Sequence, residues 1–222
     1  MGFGVTQIFP SWFDTLARGG IAGAFLLVPA TALGLGIFYR SDYVTGEHNA
    51  ARQPVPFSHA HHVGQLGIDC RYCHTGVEES AFAGMPPTER CMNCHEQIWV
   101  GADLLAPVRR SWKSGEPIRW NRVHSVPGYV YFNHSAHVAK GVGCAECHGH
   151  VDEMPLTWQG KPLTMGWCLD CHRDPAPRIR PREEVFNTAW TRGPEDPTGE
   201  QLAERYHVRD AHTLTSCSTC HR

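Results

Sequence analysis

No cysteine in this chain stands alone. All ten fall into five C-x-x-C pairs, so none remains for a separate disulfide, a reactive lone thiol or a lipid anchor. Net charge is nearly absent, at −2 over 222 residues, which argues against both a nucleic-acid binder and a strongly acidic protein. Familiar catalytic signatures are missing as well. There is no H-E-x-x-H, no glycine-rich phosphate loop, no Ser/His/Asp arrangement and no C-x-x-C-K variant. Apolar residues make up only 41% of the chain. Beyond Asn49, roughly 35 residues serve each cysteine pair, too few to build sheets or long helices round a core of their own.

Histidine, by contrast, is in excess, with fifteen copies. Five of them directly follow the cysteine pairs, in Cys70-Arg71-Tyr72-Cys73-His74, Cys91-Met92-Asn93-Cys94-His95, Cys144-Ala145-Glu146-Cys147-His148, Cys168-Leu169-Asp170-Cys171-His172 and Cys217-Ser218-Thr219-Cys220-His221. C-x-x-C-H is the attachment signature of a c-type haem. Two thiols three residues apart form thioethers with the two vinyl groups of one porphyrin, and the adjoining histidine becomes the proximal ligand of its iron. A zinc site explains paired cysteines, but not five histidines in one position. The expected cofactors are therefore five c-type haems, which would supply the apolar interior that the polypeptide lacks. The expected fold is mainly α and irregular, with short helices and loops around a haem stack.

One long uncharged run exists, Gly19 to Tyr39, flanked by Arg18 and Arg40. As a helix of about 1.5 Å per residue it spans about 31 Å, enough to cross a hydrocarbon core. Tyr39 and Tyr43 suit an interface, and Pro29 is tolerated within such a helix. A cleaved signal peptide is the competing reading, with Ala30-Thr31-Ala32 as a cleavage-like tripeptide. The apolar run continues past that tripeptide, which favours a retained anchor. The short aromatic stretch Ile8–Phe13 is expected at the inner interface or against a membrane partner. The expected organisation is an interfacial segment and single transmembrane helix in residues 1–43, then a five-haem domain in residues 44–222. Because bacterial haem attachment takes place outside the cytoplasmic membrane, the N-terminus is expected in the cytoplasm and the haems in the periplasm.

The haem region repeats itself. Phe57-Ser58-His59-Ala60-His61-His62 precedes Cys70 as Phe132-Asn133-His134-Ser135-Ala136-His137 precedes Cys144, with an offset of 75 at the phenylalanines and 74 at the cysteines. Two modules, 57–95 and 132–172, are expected, followed by the fifth motif at 217–221. Two histidines at i and i+3 project from one side of a helical turn and suit two neighbouring irons. Residues 173–216 read either as a solvated loop or as a segment along a partner.

F-x-H-x-x-H ahead of C-x-x-C-H resembles the class III multihaem cytochromes. That resemblance implies His59 as distal ligand of the first haem, His62 of the second, His134 of the third and His137 of the fourth. Met165 occupies the position of that family's further upstream ligand and becomes a candidate for the fifth iron. His124 is its rival, and contact with a haem propionate is the plainer reading for His124. Packing beside Trp167 is the plainer reading for Met165.

Three function classes follow. A conduit needs two protein ligands on every iron, a haem enzyme needs one open position, and a storage protein needs no specified distal ligands. The supply of candidate ligands favours the conduit, an electron carrier rather than an enzyme in itself. The anchor, the repeat, the five motifs and the run PLTMGWCLDCHRDP at 162–175 together resemble the pentahaem membrane-anchored cytochrome c subunit of bacterial alternative complex III, a quinol:electron-acceptor oxidoreductase. This resemblance covers nearly the whole chain. It implies an iron–sulfur subunit, polytopic quinol-binding membrane subunits and a monohaem cytochrome c as partners, with a haem–copper oxidase as a further candidate. The alternative is a membrane-anchored multihaem quinol dehydrogenase that feeds a periplasmic reductase.

Overall fold

The structure, a computed structural model, describes residues 8–221. Residues 1–7 of the expected N-terminal segment lie outside the described residues. The chain divides into two units, residues 1–45 and 46–222.

The first unit is dominated by one helix, Ser11–Tyr39, 29 residues long. An Asp14–Arg18 ion pair at 3.0 Å occupies its first turns, so the charges precede the uncharged run. Pro29 sits inside it, and no residue of the helix is buried. Its apolar side chains point outward all round, with Phe25, Leu26, Leu33 and Ile37 all exposed. A helix that is apolar on every face and unburied suits a lipid surrounding. It is long and apolar enough to cross a membrane. At the start, Phe9 stacks on Phe13 at 4.5 Å and Trp12 meets Phe13 edge-on.

The second unit contains no strands among its described residues, only three isolated bridges, Glu47 with Gln159, Val130 with His221 and Val142 with Ile179. Its longest helices have nine residues, Ala106–Ser114 and Met165–Arg173. Side-chain cores are correspondingly small. Val55, Met92, Leu105 and Val108 form one, and Ile179, Leu202 and Tyr206 form the other. The mainly helical and irregular architecture thus has little apolar protein interior, as a haem-filled fold requires.

The second cluster lies in residues 173–216, which are packed rather than solvated. The helix Gly199–Arg205 begins with a capping box between Thr198 and Gln201 and buries Leu202 completely. Gly199 rests on the backbone of Ala176 so closely that any Cβ would collide with its carbonyl. Arg180, only 4% exposed, donates to Glu146 at 2.8 Å and to the Asn187 carbonyl at 3.0 Å, and lies over the Trp190 ring. A short segment with isolated apolar residues has no helical or strand period, so its core was not legible as a pattern.

Candidate haem-binding sites

Each C-x-x-C pair lies on a short helix, Cys70–Cys73, Thr88–His95, Cys144–His148, Met165–Arg173 or Cys217–Cys220. One helical turn puts thiols i and i+3 on the same side. No disulfide joins any two of the ten cysteines. The turns start where a side chain or backbone shape allows it. Asp69 caps the first motif by accepting from Arg71 N, and Thr164 caps the fourth by accepting from Trp167 N.

The F-x-H-x-x-H segments form two more turns. His134–Ala139 is α-helical and capped by Asn133, whereas Ala60–Gln65 is wound as a π-helix with Ser58 Oγ accepting from His61 N. In both, the phenylalanine meets the first imidazole edge-on, at 4.9 Å for Phe57–His59 and 4.7 Å for Phe132–His134. It then stacks on the second, at 4.4 Å for Phe57–His62 and 4.5 Å for Phe132–His137. The second imidazole's Nδ1 faces its own turn's carbonyl, Ser58 O at 2.8 Å for His62 and Asn133 O at 2.7 Å for His137.

These turns bring distal and proximal candidates together. Ring centroids are 6.1 Å apart for His62 and His95, 6.3 Å for His134 and His148, and 6.2 Å for His137 and His172. Two imidazoles on opposite faces of one metal, with metal–nitrogen bonds of about 2 Å, have ring centres about 6 Å apart. His59 and His74 are near enough to depress the His59 pKa electrostatically, after burial as the main cause.

The unused ring nitrogen faces an oxygen in eight of these nine histidines, all but His148. Nδ1 faces a backbone carbonyl in His74 (Gly84, 2.8 Å), His95 (Ile98, 3.4 Å), His134 (Ala81, 2.9 Å), His172 (Leu214, 3.0 Å) and His221 (Tyr129, 3.2 Å), as well as in His62 and His137. In His59 it faces the Thr157 hydroxyl at 2.8 Å. An Nδ1–H donated to oxygen fixes the tautomer that leaves Nε2 with its lone pair, the usual second contact of a metal-ligating histidine. Burial keeps several of these rings neutral at ordinary pH. It is the main cause of a pKa of about 4 at His59 and about 3 at His148, and of lowered values at His62 and His137. Neutral imidazole is the ligating form. The residues present therefore fit five covalently held haems.

Two further candidates stand apart from these pairs. Met165 opens the Met165–Arg173 helix and is 62% exposed. His124 lies edge-on to His148 with ring centroids 4.3 Å apart, too close for an iron between them. Its Nε2 is buried without a partner, and burial depresses its pKa to about 4.

Sequence reasoning missed the groups that orient the imidazoles. Thr157 lies two positions from the repeat equivalent of Ala81, and that offset was the only available signal; backbone acceptors leave none. The two contacts cross between modules. His59 is held by Thr157 from the second module and His134 by Ala81 from the first. The neighbouring backbone repeats the exchange, with Ala60 N donating to Met154 O at 3.0 Å and Ser135 N to Ser80 O at 3.1 Å. Gly64 completes this fit, because a Cβ there would strike the Asp152 carbonyl.

No protein-family model matches the chain. The chain is 30% identical over 214 residues to the protein named "Menaquinone reductase, multiheme cytochrome c subunit" of Nitratidesulfovibrio vulgaris, covering 93% of this chain and 92% of that protein. A match over more than nine-tenths of both chains is more than a short attachment motif alone would produce. By that identity and coverage, the chain belongs to the family of the multihaem cytochrome c subunit of menaquinone reductase.

Proposed function

We propose that this chain is the five-haem electron relay of a membrane quinone-linked oxidoreductase. In the finer form of this reading it is the cytochrome subunit of an alternative-complex-III-like quinol:electron-acceptor oxidoreductase. The single observation that carries the relay is the set of three imidazole pairs at 6.1–6.3 Å, each able to close both faces of an iron. Haem supplies one-electron iron chemistry. The polypeptide holds each porphyrin by two thioethers, aims two ligands and excludes water and small substrates from the metal. His74, His95, His148, His172 and His221 are the proximal ligands, and His59, His62, His134 and His137 the distal ligands of the first four irons.

For the fifth iron the reading takes Met165, one helical turn before Cys168 on the helix whose His172 meets Leu214 O just ahead of the fifth motif. A thioether ligand raises the reduction potential. His124 is the rival, but its place against His148 favours a hydrogen bond to a propionate near the first and third sites. Met165→Ala tests the choice. The fifth haem is expected to lose its six-coordinate spectrum, and an unchanged spectrum rejects Met165 as its ligand.

The Ser11–Tyr39 helix anchors the chain, with the N-terminus cytoplasmic and the haems periplasmic. Iron–sulfur, polytopic quinone-binding and monohaem cytochrome c subunits are the proposed partners, with a haem–copper oxidase as a possible acceptor complex. A second reading runs the relay the other way, towards menaquinone, and the name of the relative favours it. The test uses the complex in native membranes. Five covalent porphyrins by mass and no stoichiometric carbon monoxide binding after reduction are expected. Menaquinol that reduces the haems supports the quinol-oxidising reading, whereas a donor-reduced complex that reoxidises only with menaquinone supports the reverse. A porphyrin count below five, or rapid stoichiometric carbon monoxide binding, overturns the closed five-haem relay.

A further inference from the structure

We infer that the haems do not stand in chain order: in space the order is second, first, third, fourth, fifth, and the second and fifth sites are the two ends open to redox partners. This rests on the five-haem reading and adds the arrangement to it.

The first link joins the second and first sites. His59 and His62 leave the same turn, and the two motifs touch directly. Asn93 Nδ2 donates to Tyr72 Oη at 2.9 Å, and Arg90 lies over the Tyr72 ring at 5.2 Å.

The middle link joins the first and third sites. Ala60–Met154 and Ser135–Ser80 are pairs of equivalent residues exchanged between modules, and His59–Thr157 and His134–Ala81 cross beside them. Such reciprocal contacts are the mark of a two-fold, isologous pairing. Equivalent residues then meet only close to the axis. The crossed contacts are made by His59 and His134 themselves, the distal candidates of the first and third sites. The first and third motifs therefore flank the axis, and the second and fourth lie on opposite outer sides.

The third link joins the third and fourth sites, since His134 and His137 share a turn and face His148 and His172. The last link joins the fourth and fifth. His172 Nδ1 faces the carbonyl of Leu214, which lies on the turn just before Cys217.

Exposure identifies the ends. Of the ten motif cysteines, only Cys94 of the second motif and Cys217 of the fifth are exposed. Beyond Cys94 the surface continues with exposed Ile98, Trp99 and Val100.

The test is a haem-resolved map of the native complex, with ligand variants of the full chain studied by electron paramagnetic resonance. The four shortest iron–iron distances are expected to be second–first, first–third, third–fourth and fourth–fifth, with second–fifth the longest. Making one iron high-spin by His62→Ala is expected to alter the signal of one neighbouring haem, whereas His134→Ala alters two. A second iron closer to the third than the first is, or two haems perturbed by His62→Ala, overturns the order while leaving the five-haem reading intact. Fewer than five porphyrins in the map overturns both.

Discussion

Residues 57–95 and 132–172 place a phenylalanine and two imidazoles almost identically, yet they differ in what holds them. In the second module the first imidazole donates to a backbone carbonyl, Ala81 O, whereas in the first module it donates to the Thr157 side chain. The turns differ as well, α-helical over His134–Ala139 and π-wound over Ala60–Gln65. The paired rings follow suit, with an interplanar angle of 27° for His137–His172 and 63° for His62–His95. Imidazole position is thus kept across the duplication, while the supports around it have diverged. Supports that reach an imidazole through a carbonyl tolerate any side chain; a hydroxyl does not.

Substitutions at equivalent positions break or sharpen that comparison. The largest effect is expected from His62→Ala and His137→Ala. Each removes one proposed distal ligand, so each variant should bind about one equivalent of carbon monoxide after reduction, with the change in the second haem for one and the fourth for the other. Thr157→Val comes next. Losing such an orienting partner typically weakens a metal–ligand interaction about 10- to 100-fold, and a potentiometric titration should show the first haem shifted while the third keeps its value. Phe57→Leu and Phe132→Leu should each cost about 1 kcal/mol through lost ring–ring contact, read as a lower denaturation midpoint. Equal losses would mark the stacks as equivalent despite the different helix type. Smallest are the caps. Asn133→Ala should cost about 1 kcal/mol, or a fall of roughly 2–4 °C in Tm. Ser58→Ala should cost less, because the π-wound turn relies on the longer-range Leu66 and Ile68 amide bonds to His61 and His62.

The sequence disclosed what is written in side chains at short spacing. The five motifs, the repeat and the uncharged run all fall in that class, and so does the F-x-H-x-x-H spacing that leads to the His62–His95, His134–His148 and His137–His172 encounters. It did not disclose that the modules face each other, because a repeat offset gives the existence of two copies and not their mutual placement. It also concealed Arg180, whose burial depends on Glu146 thirty-four residues away, and the Ile179–Leu202–Tyr206 cluster, whose members share no period. Met165 and His124 show the same boundary from the other side. The family resemblance nominated Met165 and left His124 as its rival, but only tertiary placement sets His124 against His148 and leaves Met165 at an exposed helix start.

The crossed grip on His59 and His134 has a consequence for any divided form of the molecule. Cut between residues 95 and 132, neither half would carry the oxygen that aims its own leading imidazole, and each would expose the complementary oxygen the other requires. Split halves are thus built to recombine with one another, and a polypeptide holding a single copy of the unit would find its missing grip only in a second copy of itself.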